Sequence, residues 1–176
     1  METMLESTSI LDALRNELRE ETAITKRALE RVPADKLMWR PHQKSMSLGQ
    51  LALHVATIPG GLAQLLQQDS FDVTQGSFVP AQPKSVDEIL AAYEESIRDG
   101  EHFLQGLTPE KANASWRLLK KDSELFARPR IEVVRTIMLN HWYHHRGQLS
   151  LYLRLLEIPV PVIYGRSADE DPFGAA

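Results

Sequence analysis

The sequence predicts an all-α protein built as a four-helix bundle. Four stretches repeat apolar residues at the three- and four-residue spacing of an amphipathic helix. Two of them open on a Ser-x-x-Gln/Glu signal that starts helices. Neither an internal repeat nor a linker divides the 176 residues, so 1–176 reads as one domain, long enough to bury its own core.

The first helix is expected from about Ser9 to Arg31, with Leu11, Leu14, Leu18, Thr25 and Leu29 facing inward. Arg15, Glu17, Arg19, Glu20, Glu21, Lys26 and Arg27 are read as its solvated face. Pro33 ends it, and Met38-Trp39-Arg40-Pro41 should be extended. Ser47-Leu48-Gly49-Gln50 caps the second helix, whose stripe is Leu51, His54, Ile58, Leu62 and Leu65. Pro59 removes a helical hydrogen bond, so a kink or early break is expected one turn past His54.

Residues 67–84 are polar and rich in Gly and Pro, with no periodic pattern, and are long enough to cross the length of a bundle. Ser85-Val86-Asp87-Glu88 then caps the third helix, whose inner face includes Tyr93, Ile97 and Leu104. His102 falls off that face and is expected to be exposed. Thr108-Pro109-Glu110 starts another turn of helix, and residues 115–126 have the form of a short hairpin over one end. The last helix runs from about Pro129 to Glu157, before Pro159 and Pro161.

That last helix holds Asn140-His141-Trp142-Tyr143-His144-His145-Arg146-Gly147-Gln148, with three of the chain's six histidines. Positions 134, 137, 141, 145, 148, 152 and 155 form one near-regular stripe, which places His141, His145 and Gln148 among core residues. Imidazoles four residues apart stack on one side of a helix and suit a single metal ion. His54, on the core stripe of another helix, is the natural third ligand. Three buried imidazoles without partners would each cost about 1–3 kcal/mol, which a divalent cation removes. The alternative is a core of hydrogen-bonded histidines. Three nitrogen ligands leave a position open, as in catalytic sites, and imidazole suits Zn, Ni or Fe. The spacing is that of zinc proteases, but Trp142 stands where those enzymes carry a glutamate base.

Other residues carry two readings. His144 is either exposed or packed, or it supports the metal ligands; Gln148 either orients a ligand or bonds a neighbouring helix. Arg146 is expected to pair with an acid on another helix, and Gly147 to let a helix approach closely. Trp39, Trp142 and Tyr143 are read as packing residues. Neutral ligands imply that metal affinity falls below about pH 6.5.

Composition narrows the function. Acidic residues outnumber basic ones, 24 to 20, and no basic stripe favours nucleic acid. The absence of cysteine excludes disulfides and a protein thiol nucleophile. Neither a signal peptide nor a membrane span is expected, so a cytoplasmic protein is.

Together, Trp39-Arg40-Pro41, Ser47-Leu48-Gly49-Gln50-Leu51 with His54, His141-x-x-His144-His145-Arg146-Gly147-Gln148 and Pro161-Val162-Ile163-Tyr164-Gly165 resemble the DinB superfamily of metal-binding four-helix bundles. The resemblance implies His54, His141 and His145 as metal ligands, helices in up-down-down-up order with a long crossover, and a homodimer. It also implies a metal-dependent enzyme that transfers a low-molecular-weight thiol to an electrophilic small molecule. A metal-dependent hydrolase and a non-catalytic metal-binding bundle stand as alternatives.

Overall fold

Helix ends dictate much of the architecture. Ser47 Oγ accepts the Gln50 N–H at 3.1 Å while Gln50 Oε1 accepts the Ser47 N–H at 3.0 Å, so the expected capping box closes both ways. Ser85 closes half of one: its Oγ accepts the Glu88 N–H, but the Glu88 carboxylate reaches one residue further, to Lys84 N. Thr108 caps the short helix that begins at Pro109.

The structure, a computed structural model, describes residues 2–77 and 79–174. It is mostly helical: α1 (Glu2–Glu30), α2 (Leu48–Leu66), α3 (Val86–Gly106), α4 (Pro109–Asn113), α5 (Arg130–Val133) and α6 (Asn140–Leu155). A π-helical segment, Val134–Leu139, joins α5 to α6. No helix among the described residues is long and apolar enough to cross a membrane. The expected hairpin is present as β2 (Ser115–Lys120) and β3 (Ser123–Pro129), paired antiparallel. The stretch expected to lack a pattern contributes β1 (Ser70–Asp72), which pairs parallel to β2 and completes a three-stranded sheet. An all-α reading missed this strand because three residues carry no alternation, and their partners lie far along the chain.

Long-range pairs fix how the helices lie. Arg15 on α1 donates to the carbonyls of Leu104 and Leu107 at the end of α3, and Lys26 meets Glu94. On α2, Gly60 N donates to Ser96 Oγ of α3 at 2.8 Å, and Gln64 reaches Asp99. Trp142 and Tyr152 of α6 donate to the carbonyls of Val55 and Met46. Glu17 and Thr25 of α1 accept from Arg135 and Arg146.

Two expectations about α2 need correction. Pro59 does not break it, since the helix continues to Leu66. Part of the reason is that Gly60 N finds its acceptor on α3, and a Cβ at Gly60 would lie only 2.7 Å from Ser96 Cα. Here the two helices touch backbone to backbone. Leu62 and Leu65 are half-buried, and the deeper positions in that part are Ala63 and Leu66.

The α6 stripe is displaced by one residue. The buried positions include Met138, Trp142, Arg146, Leu149 and Leu153; of the expected stripe, Val134 and Tyr152 are buried, Ile137, His141, His145 and Gln148 are half-buried, and Leu155 is exposed. The cause is the π segment, in which Asn140 N bonds Arg135 O, five residues back. Each π turn holds one residue more than an α turn, so everything after it rotates by about 100°. Counting at 3.6 residues per turn from Val134 therefore lands one position early.

On α1, Leu11, Leu14, Leu18, Thr25 and Leu29 are buried as expected. Glu21 is buried too, against the reading of it as solvated, because it faces Arg146. After α6 the chain turns at Glu157 and runs back along α1, where Arg27 and Arg31 donate to Val162 O and Pro159 O.

Candidate metal centre

Two helices carry the three histidines: α2 supplies His54, and α6 supplies His141 and His145 one turn apart. Their Nε2 atoms converge, His141 to His145 at 2.8 Å and His54 to His141 at 3.4 Å. One ligand atom from each lies within 4.8 Å of the others, and this is the sole such group of three or more His, Cys, Asp or Glu among the described residues. The rings stand edge to face, with centroids 4.5–5.1 Å apart.

These residues fit a transition metal. Two nitrogens each about 2.0–2.1 Å from a tetrahedral zinc lie about 3.3–3.4 Å from one another. The His54–His141 spacing matches that, and the His141–His145 spacing needs to open by about half an ångström. Proton bookkeeping points the same way. His145 Nδ1 lies 2.7 Å from Gln148 Oε1, and an amide oxygen can only accept, so Nδ1 carries the proton and Nε2 presents its lone pair. Three nitrogens facing one another cannot all be satisfied by the protons of neutral rings, whereas one cation satisfies all three.

Burial, with a smaller contribution from the neighbouring histidines, pulls the His54 and His141 pKa values down to about 4. His145 is lowered as well, chiefly by burial, with the Gln148 hydrogen bond opposing it. His54 and His141 are therefore neutral, and fit to bind, well below pH 6.5, and His145 shifts in the same direction. Proton competition for these rings, expected near pH 6.5, moves to lower pH.

The other marked residues divide cleanly. Gln148 lies against His145, as the ligand-orienting reading requires. His144 is exposed, with its ring 4.9 Å from that of His145, and is not one of the three converging histidines. Trp142 is fully buried and Trp39 packs edge-on against Tyr152, both as packing residues. His102 is exposed, as expected. Gly147 does not serve a close approach, since a Cβ there would meet nothing within 4 Å.

Arg146 pairs with Glu21 at 2.5 Å and donates to Thr25 Oγ1 at 2.9 Å and to the Tyr164 hydroxyl. It lies between the rings of Tyr143 and Tyr164, 5.2 and 5.1 Å from their centres. Glu21 Oε2 receives no well-aligned hydrogen bond despite that distance, so the pairing is chiefly ionic.

A cavity of about 220 Å³ opens beside His54, lined by Leu53, Thr57, Ser77, Pro80 and Ala81. Gln50 Nε2 holds its outer wall by donating to Pro80 O. Sequence reading did not identify Thr57 as part of this wall, although it lies one turn beyond His54 on the same side of α2.

Comparisons with known proteins come to the same fold. A sequence profile described as the DinB family matches residues 4–171. A DinB-like protein from Bacillus cereus superposes with a TM-score of 0.66 at 21% identity, covering 87% of this chain and 97% of that one. A DinB-like protein from Bacillus subtilis gives 0.67 at 17% identity, over 88% and 99% of the two chains. No curated protein matches the sequence significantly.

Proposed function

Because the chain belongs to the DinB family, we propose that His54, His141 and His145 bind one divalent transition metal, and that the protein transfers a low-molecular-weight thiol to an electrophilic small molecule. The observation that carries this reading is the convergence of three Nε2 atoms with no carboxylate among them. A divalent metal on neutral ligands keeps its full charge and lowers the pKa of a thiol. The protein's own share is to hold the rings: Gln148 fixes the tautomer of His145, and Trp142, bonded to Val55 O, fixes α6 against α2. The reacting sulfur would come from the cosubstrate, since the chain has no cysteine. Its thiolate would form a bond to an electrophilic carbon, and the leaving group would depart with the electron pair.

Hydrolysis is less well served. It calls for a carboxylate base, and none of the residues lining the cavity beside His54 is acidic.

The same reading takes the four long helices, with 1–176 as one domain, as an up-down-down-up bundle. Supporting this, residue numbers rise together in α2–α3 and α1–α6 contacts and run oppositely in α1–α3 and α2–α6 contacts. It also includes a homodimer, favoured by Leu151 and Leu155, exposed one turn apart on α6.

Elemental analysis of the purified protein beside a His54→Ala/His145→Ala variant tests the site. About one zinc, nickel or iron per chain, absent from the variant, is expected. Thiol transfer to an electrophile that persists in His145→Ala would sink the enzymatic reading.

A further inference from the structure

The cavity beside His54 has a neighbour on the same side of α2. Thr57 also borders a second cavity, of about 300 Å³, between α2 and α3. On α2 this second space is bounded by Thr57, Gly61 and Gln64, which with His54 form the helical stripe 54, 57, 61, 64. Gly60 and Ser96, where the helices touch, make its floor. Gly61 and Gln64 lie about 10 and about 15 Å beyond His54 along the helix, at about 1.5 Å per residue.

The far end is acidic. Glu95 is exposed there, and Asp99 binds Gln64 through one oxygen, at 3.1 Å, leaving the other open. No lysine or arginine lines the groove. Its floor carries a second polar feature. Ser96 is 5% exposed, and its Oγ accepts the Gly60 N–H, yet among the described residues no acceptor takes its hydroxyl proton.

We propose that this groove binds the tail of the thiol cosubstrate, and that Glu95 and Asp99 select a thiol bearing a free ammonium group about 10 Å from its sulfur. The proposal rests on the thiol-transfer reading and names its cosubstrate: an extended, peptide-sized aminothiol. The charges give the ligand a direction. A metal on three neutral imidazoles attracts the sulfur at one end, and two carboxylates attract a cation at the other. Between them the Ser96 hydroxyl can donate to a peptide carbonyl. A tail ending in a carboxylate would be repelled.

Calorimetric titration of the zinc-loaded full chain tests this with four probes: Gly-Gly-Cys amide, its N-acetyl form, Gly-Gly-Ser amide and Cys amide. The free-amine cysteine peptide should bind about five- to tenfold more tightly than its acetylated form, the scale of two partly exposed ion pairs. That ratio should fall to about one in Glu95→Gln/Asp99→Asn. Gly61→Leu, which has open space for its side chain, should weaken the long peptide and leave Cys amide unchanged. Equal binding of the free and acetylated cysteine peptides, both tighter than the serine peptide, would overturn the groove assignment and leave thiol transfer standing. A serine peptide that binds as well as the cysteine peptide would overturn thiol transfer, and the groove assignment with it.

Discussion

His145 and Arg146 are adjacent in sequence, yet they belong to two polar clusters of opposite character. Around Arg146 every charge has a partner: Glu21, Thr25, Tyr143 and Tyr164 surround a guanidinium that is 1% exposed. Around His145 three lone-pair-bearing nitrogens face one another at the half-buried edge of the bundle. A cluster whose charges are matched ion to ion has no need of a further cation, and this one ties α1 to α6. An unsaturated one of the same size retains its capacity for a ligand. Polar burial alone therefore does not identify a functional site; three lone pairs converging on one point do.

The contrast can be broken at its structural side first. Arg146→Met should destabilise the protein by about 3–5 kcal/mol in urea denaturation, because Glu21 is left charged and unpaired. Metal bound per folded chain should be nearly unchanged. The complementary change, His145→Ala, should move the stability of the metal-free protein by less than about 1 kcal/mol, while abolishing metal binding by elemental analysis. A milder version is Gln148→Leu, which leaves the three ligands but frees the His145 tautomer. Competition with a chelator should show metal affinity lower by about 10- to 100-fold.

Acid sharpens the same comparison. The His54 and His141 pKa values are about 4 in the folded chain, against about 6.5 when unfolded. The unfolded state thus binds protons first, so the metal-free protein should hold full stability above pH 6.5 and lose it as pH falls toward 4. Thermal melts across that range should show the decline, and the His54→Ala/His141→Ala variant should flatten it. Bound metal should persist at pH 5.5 in equilibrium dialysis. The smallest effect concerns assembly. Leu151→Glu should change stability by no more than about 0.5 kcal/mol, yet convert a dimer to a monomer in sedimentation.

Much of this was legible in the residues. Ser47 and Gln50 announce the start of α2, and Thr108-Pro109 that of α4, because caps are local chemistry. His54, His141 and His145 were legible as a group, since their types and spacing survive errors of register. The face of α6 was not legible, because nothing in Val134–Leu139 signals a π turn, and one extra residue moves the core from His141 and His145 to Trp142 and Arg146. Glu21 was misplaced for a related reason: its burial depends on Arg146 arriving opposite it. The pairing of β1 with β2 joins residue 70 to 117, beyond the reach of any local pattern.

The π segment also makes this centre unusually sensitive to chain length. Loss of a single codon within 134–139 would let the helix wind as regular α throughout. His141 and His145 would then turn toward the space now filled by Trp142 and Arg146, and those two toward the cavity. Substitutions leave the register intact, so a family of such chains could vary widely in residue type here while tolerating almost no change in length. A one-residue deletion in this segment is a frameshift in three dimensions, and it would turn two of the three candidate ligands away from His54.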